Sequence, residues 1–159
     1  MAEKQDSGFK VAGSNRRAFH DYSIEEKIEA GLILKGTEVK SLREGRVNLR
    51  EGYATVAQGK AILHNCHIGE YSHGNIMNHE PLRARPLLLH KKQIEKLTGK
   101  VQQKGLTIVP LRIYFNPRGI AKVELGLARG KKHYDKRDTV KKRDAGREMD
   151  RAMKTRQRE

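Results

Sequence analysis

The sequence predicts a mainly β fold: a small antiparallel β-barrel with short helices, followed by a basic C-terminal tail that is disordered when free. Three observations carry this expectation. Apolar and polar residues alternate from Tyr22 to Leu34, and again in "TIVPLRIYF" and "AKVELGLA" on either side of a turn. Ahead of the tail, helical spacing appears only in short internal segments. The closing stretch "GKKHYDKRDTVKKRDAGREMDRAMKTRQRE" holds almost nothing to bury.

Residues 1–13 are polar and unpatterned, which predicts a flexible leader, with order beginning near "NRRAFHDY". Beyond it, Tyr22, Ile24, Ile28, Ala30, Leu32 and Leu34 occupy even positions, whereas Glu25, Lys27 and Glu29 occupy odd ones. Such a period of two predicts a long strand with one buried face. Only Glu26 breaks it. A strand this long bends or serves two sheet edges when a small barrel closes, and Gly31 is the expected bend. "GTEVKSLREG" predicts a short helix, with Thr37 as N-cap and Val39 and Leu42 on one face.

"YATVAQGKAILHNCHI" reads as two short strands hinged at Gln58-Gly59-Lys60, and "SHGNIMNHEPLRARP" as a long excursion. Ile94, Leu97 and Val101 share a helical face, with Gly105 as the stop. The final pair alternates at Val109, Leu111, Ile113 and Phe115, turns at "NPRG", and returns at Val123, Leu125 and Leu127. Pro110 within the first of these strands predicts an edge or a bulge. About five strands with an intervening helix over residues 14–130 match an OB-fold-like barrel. An SH3-like barrel is disfavoured by the helix at 90–104.

The 159 residues carry a formal net charge of +15. Such an excess points to a polyanion, nucleic acid before membrane. Residues 131–159 hold 12 Lys/Arg against 6 Asp/Glu, which leaves nine of the net positive charges on residues 1–130. Barrel and tail should therefore both meet the anion. No apolar run approaches the ~18–20 residues of a spanning helix, and "MAEKQDSGFKVAG" has no apolar signal core. The expectation is a soluble cytoplasmic protein with no membrane partner. The single Cys66 precludes an internal disulfide and suits a reducing compartment.

Catalytic and metal chemistry are not expected. His64, Cys66 and His67 in "HNCH" diverge on a strand, and no second Cys/His cluster has zinc spacing. There is no phosphate-cradling glycine motif and no nucleophile elbow. The sequence thus predicts no enzyme, no cofactor and no metal.

Basic residues do cluster: Arg16-Arg17, Lys40 with Arg43 and Arg46, Arg83 with Arg85, Lys91-Lys92, and Arg129 to Lys132, including Lys131. Such groups bind phosphates without sequence preference. The five tyrosines are scattered and Trp is absent, so folded RNA fits better than a threaded single strand. In the tail, Ala145, Met149, Ala152 and Met153 form a thin helical stripe. Too thin to dock on the barrel, it predicts a segment that turns helical when phosphates meet its cations.

Four segments, "NRRAFHDY", "EAGLILKGTEVKSLREGRVNL", "LLLHKKQIEKLTGKVQQKGLTIVPLRIYF" and "AKVELGLARGKKHYDKR", closely resemble the bacterial SsrA-binding protein (SmpB) family. The resemblance spans about residues 15 to 155. It implies an RNA-binding adaptor that holds the tRNA-like domain of transfer-messenger RNA (tmRNA, SsrA) and delivers it to stalled ribosomes for trans-translation, ribosome rescue and tagging of incomplete proteins. The implied partners are tmRNA, the small ribosomal subunit (16S rRNA, decoding centre and mRNA channel), and elongation factor Tu indirectly through aminoacylated tmRNA. Implied RNA-binding positions are Asn15, Tyr22, Glu29 and Leu88. Arg16, Lys40, Arg43, Lys91, Lys92, Lys131 and Lys132 are the expected phosphate contacts beside them. The family's tail motif falls on Asp135, Lys136 and Arg137, with Tyr134 before it, and implies a role at the decoding centre. The alternative is a structural basic ribosomal protein.

Overall fold

The computed structural model describes residues 8–74, 77–131 and 133–156. Its centre is a closed antiparallel barrel. The strands are β1 (Lys10–Ser14), β2 (Tyr22–Leu32), β3 (Val47–Asn48), β4 (Tyr53–Ala57), β5 (Lys60–His64), β6 (His67–Ile68), β7 (Arg85–Leu88), β8 (Thr107–Phe115) and β9 (Ala121–Gly130). The helices are α1 (Arg16–Asp21), α2 (Gly36–Arg43), α3 (Lys91–Lys104) and α4 (His133–Arg156). The order β8-β4-β5-β7-β2-β9 closes on itself through β8–β9, and β1 lies against β8; β3 and β6 pair separately.

The predicted alternation of β2 is present, even positions facing inward and odd ones outward. The strand also serves two neighbours: Tyr22 to Gly31 face β9, while Gly31 and Leu32 face β7. Its irregularity is not at Gly31, as the glycine suggested, but between Ile24 and Glu26. Gly31 is needed for proximity instead, because a Cβ there would lie 3.1 Å from the Leu88 Cβ. Glu26, which breaks the sequence pattern, points to α3 and pairs with Lys96 at 2.9 Å and with Lys100 at 2.5 Å.

The barrel has six strands in its ring rather than about five. The added member, β7, is a four-residue strand containing Pro86, too short and too proline-marked to show a period. Order also begins earlier than residue 14. Lys10 to Ser14 pair antiparallel with Arg112 to Phe115, so the 1–13 leader is a strand in its last part. α1 was unforeseen as well: Asn15 is its N-cap, its Oδ1 accepting from the Ala18 amide at 3.2 Å. In α2 the N-cap is Lys35, not Thr37, and the Glu38 carboxylate accepts from the Lys35 amide at 3.2 Å.

Other expectations match. β4 and β5 meet at a two-residue turn with both Gln58 and Gly59 at positive φ, the geometry of a twisted hairpin. α3 ends at Gly105, left-handed at φ 62, whose amide donates to the Val101 carbonyl at 3.1 Å. Pro110 sits at a bulge, where the β8–β9 register slips between Pro110 and Arg112. The main core joins Leu63, Ile68, Leu97, Ile113, Val123 and Leu125 inside the barrel. A smaller cluster of Ala18, Val109, Leu111 and Ala128 seats α1 on β8 and β9.

The tail takes the helical form that the sequence analysis reserved for the bound state. From Lys141 to Thr155 every residue of α4 is exposed, so no core face holds it.

Candidate nucleic-acid interface

Outward side chains of β7, β2, β9 and β8 make one continuous face. Register fixes their order. Leu88 opposes Gly31, Glu29 opposes Glu124, and Glu124 opposes Arg112. Glu29 and Leu88, distant in sequence, are thereby neighbours on a single surface, and Leu88 is 59% exposed. Arg112 Nε bonds Glu124 Oε2 at 3.1 Å, and its guanidinium lies 5.2 Å from the centre of the Tyr114 ring. The Tyr114 hydroxyl donates to Glu29 Oε2. Phe9 meets the Tyr114 ring edge-on at 5.6 Å. Burial raises the pKa of the Tyr114 phenol, and the Glu29 carboxylate raises it further, so the group stays a donor. Arg112 and Tyr114 alternate with Ile113 and Phe115, which line the main core, whereas Val109 and Leu111, across the bulge, belong to the α1 cluster; nothing in sequence showed that Arg112 and Tyr114 meet Glu29.

Asn15 occupies a different setting. It is only 5% exposed, and its Nδ2 donates to the Leu49 carbonyl at 3.1 Å and the Pro110 carbonyl at 3.0 Å. Both amide protons and one lone pair of Oδ1 are engaged within the protein. This side chain fixes α1 against the β8 bulge, at the edge of a hollow that Arg17 and Tyr22 also border. Tyr22, half-buried, stands between two hollows. One is bordered by Asn15, Arg17, Arg50 and Tyr53, the other by Phe19, Lys27 and Lys131. Arg16 is exposed at the start of α1, and Arg17 is paired with Asp21 at 3.1 Å. The Lys131 amide donates to the Asp21 carbonyl at 2.9 Å and its Nζ to the Phe19 carbonyl at 3.2 Å, which ties the start of the tail to α1.

A third group forms on α2. Lys40 lies 5.4 Å from the Tyr71 ring centre, Arg43 lies 6.0 Å from that of Phe115, and Lys10 Nζ donates to the Arg43 carbonyl at 3.3 Å. Arg85, grouped in sequence with Arg83 as a surface cation, is instead fully buried. It bonds Glu38, the Cys66 carbonyl at 2.6 Å and the Pro81 carbonyl at 3.1 Å. This interior pair anchors α2 and hence Lys40 and Arg43. Lys91 and Lys92 are exposed in the first turn of α3, which has no acidic residue there. Cations at a helix N-terminus oppose the macrodipole, so helix stability does not account for them.

In α4, Arg137 is exposed, and Tyr134, Asp135 and Lys136 belong to its first turn. Lys132 lies outside the described residues. Among the described residues, no cluster of His, Cys, Asp and Glu could hold a metal ion, and no helix is long and apolar enough to cross a membrane. Cys66 is buried, and burial pushes its thiol up to about 11. His64 is turned aside, stacked on Tyr53 at 5.2 Å.

A small basic β-barrel with an outward sheet face, cationic clusters around it and an exposed cationic helix defines a class: an adaptor for a folded polyanion. The chain belongs to the SmpB family, whose model, described as SmpB protein, matches residues 12–155. A relative named SsrA-binding protein from Halalkalibacterium halodurans is 58% identical over 149 residues, covering 94% of this chain and 96% of the relative. That of Geobacter sulfurreducens is 56% identical over 147 residues, covering 92% and 95%. A solved chain from "tmRNA-SmpB: a journey to the center of the bacterial ribosome" is 57% identical with a TM-score of 0.66, covering 76% of this chain and 85% of that one.

Proposed function

We propose that this chain is an RNA-binding adaptor for the tRNA-like domain of tmRNA and delivers that RNA to stalled ribosomes in trans-translation. The observation that carries the reading is the register that sets Glu29 beside Leu88 on one outward face. Both are positions that the family resemblance assigns to RNA. The division of labour follows from the fold. Residues 14–130 form the barrel that grips the RNA, and residues 131–159 form the tail that serves the small ribosomal subunit. Leu88 packs on a base or sugar, Glu29 accepts a hydrogen bond, and Tyr22 receives RNA at the rim between its two hollows. Arg16, Lys40, Arg43, Lys91, Lys92, Lys131 and Lys132 meet phosphates.

In the tail, Tyr134, Asp135, Lys136 and Arg137 engage 16S rRNA at the decoding centre, with the rest of the helix in the mRNA channel. That helix is loosely held when free, because every residue from Lys141 to Thr155 is exposed. Elongation factor Tu is met only through aminoacylated tmRNA. The protein works in the cytoplasm without catalysis, cofactor or metal.

Truncation after Gly130 tests the division. The shortened protein should still bind the tRNA-like domain tightly, losing only the phosphate contacts of Lys131 and Lys132, and fail to support tagging on stalled ribosomes. Loss of RNA binding on truncation would refute the two-surface scheme. A structural ribosomal protein would instead co-sediment with intact subunits at one copy each, with no dependence on tmRNA.

A further inference from the structure

We propose that Tyr114 is a positioning residue for Glu29: its hydroxyl fixes one carboxylate oxygen so that the other is presented to a single hydrogen-bond donor of the RNA. The inference rests on the reading of Glu29 as an RNA contact and deepens it. Two carboxylates stand opposite each other on this face, Glu29 on β2 and Glu124 on β9. They are treated differently. Glu124 is neutralised by Arg112 at 3.1 Å, whereas Glu29 receives only the neutral hydroxyl of Tyr114. Among the described residues Glu29 thus has one oxygen bonded and the other open, whereas Glu124 is occupied.

The geometry of Tyr114 suits a fixed donor. Its residue is only 5% exposed, with Phe9 against its edge and Arg112 across its face. A phenol held in this way cannot swing to water, and the exposed carboxylate of Glu29 loses a rotational freedom that it would otherwise pay on binding. A carboxylate with one oxygen so held presents the other at a fixed position as an acceptor. Its complement is an amino group of a base or a ribose 2′-hydroxyl, and phosphate is repelled. The pair thus adds selectivity to a surface whose cations supply only attraction.

The experiment measures binding of the full chain to a labelled transcript of the tRNA-like domain over a salt series, for Glu29→Ala, Tyr114→Phe and the double variant. Glu29→Ala should weaken binding about 10-fold and Tyr114→Phe about 3- to 10-fold. Neither should change the dependence on salt, since no phosphate contact is lost. The double variant should bind no more weakly than Glu29→Ala alone, because the hydroxyl acts only through the carboxylate. If Glu29→Ala binds normally, the RNA-contact reading fails and this inference with it. If Glu29→Ala is weakened while Tyr114→Phe is not, or if the two losses multiply, only the positioning role fails. Thermal unfolding checks that Tyr114→Phe folds. Should it not, Glu29→Asp replaces it, keeping the charge but shortening the reach to the hydroxyl: weakened binding supports the role and wild-type binding overturns it.

Discussion

The Arg85 guanidinium and the Glu38 carboxylate pair in the interior, both side chains completely shielded from solvent. Glu38 belongs to α2 and Arg85 to β7, so the pair joins the helix that displays Lys40 and Arg43 to the barrel wall. Arg83 adds a second cation to the same carboxylate at 2.7 Å.

Arg85→Met should lower unfolding stability by about 3–5 kcal/mol, because it leaves a buried carboxylate short of its main donor. Urea denaturation followed by circular dichroism measures the loss. The matched exchange Glu38→Gln with Arg85→Met should recover part of it, since no full charge then remains inside.

Acid should destabilise the fold through the same residue. Burial alone would raise the Glu38 carboxyl, but the hydrogen bonds and charge of Arg85, with Arg83, hold it below the ordinary carboxylate range. Glu26 is lowered too, by its bonds to Lys100 and Lys96. For both, the unfolded chain binds protons more readily, so their contribution is full above about pH 4.5 and disappears as pH falls through the folded values. Denaturation midpoints from pH 7 to 3 should fall in that lower range. In Glu38→Gln the midpoint starts lower and declines less steeply.

Asn15→Ala should cost about 2 kcal/mol or more, combining a lost helix cap with the loss of two buried hydrogen bonds, to the Leu49 and Pro110 carbonyls. RNA affinity should fall with it through displacement of α1. Amide exchange should show faster opening of Ala18 while the β4–β5 hairpin keeps its protection.

Gly146→Ala should strengthen α4. A methyl group there meets nothing within 4 Å, and alanine is favoured over glycine by about 1 kcal/mol in a helix interior. Circular dichroism of the tail peptide should show greater helicity. A decrease would mean that the segment does not form the helix seen here.

β2 was readable because it is half-exposed and therefore alternates. β8 and β9 were readable from their β-branched and apolar runs on either side of a turn, although most of β8 is buried, and Pro110 marked its own bulge. The elements that escaped notice have no period of their own. β1 and β7 are short, and α1 depends on Asn15 reaching across to Leu49 and Pro110. Surface cations were less legible than strands. Arg83 and Arg85 look alike in sequence and both bond Glu38, yet only the second lies within β7 and is fully buried. The partnership of Tyr114 with Glu29 arises from three strands in register, which no local pattern reveals.

The pairing of Tyr22 with Gly130 gives the barrel a late closing point. β2 emerges early during synthesis, but its long partner follows about a hundred residues afterwards, and loop closure over that span delays folding. Until β9 arrives, one whole side of β2 lacks its hydrogen-bonded neighbour. A nascent chain cut short before residue 121 would expose that unpaired strand, so this fold is itself intolerant of interrupted translation.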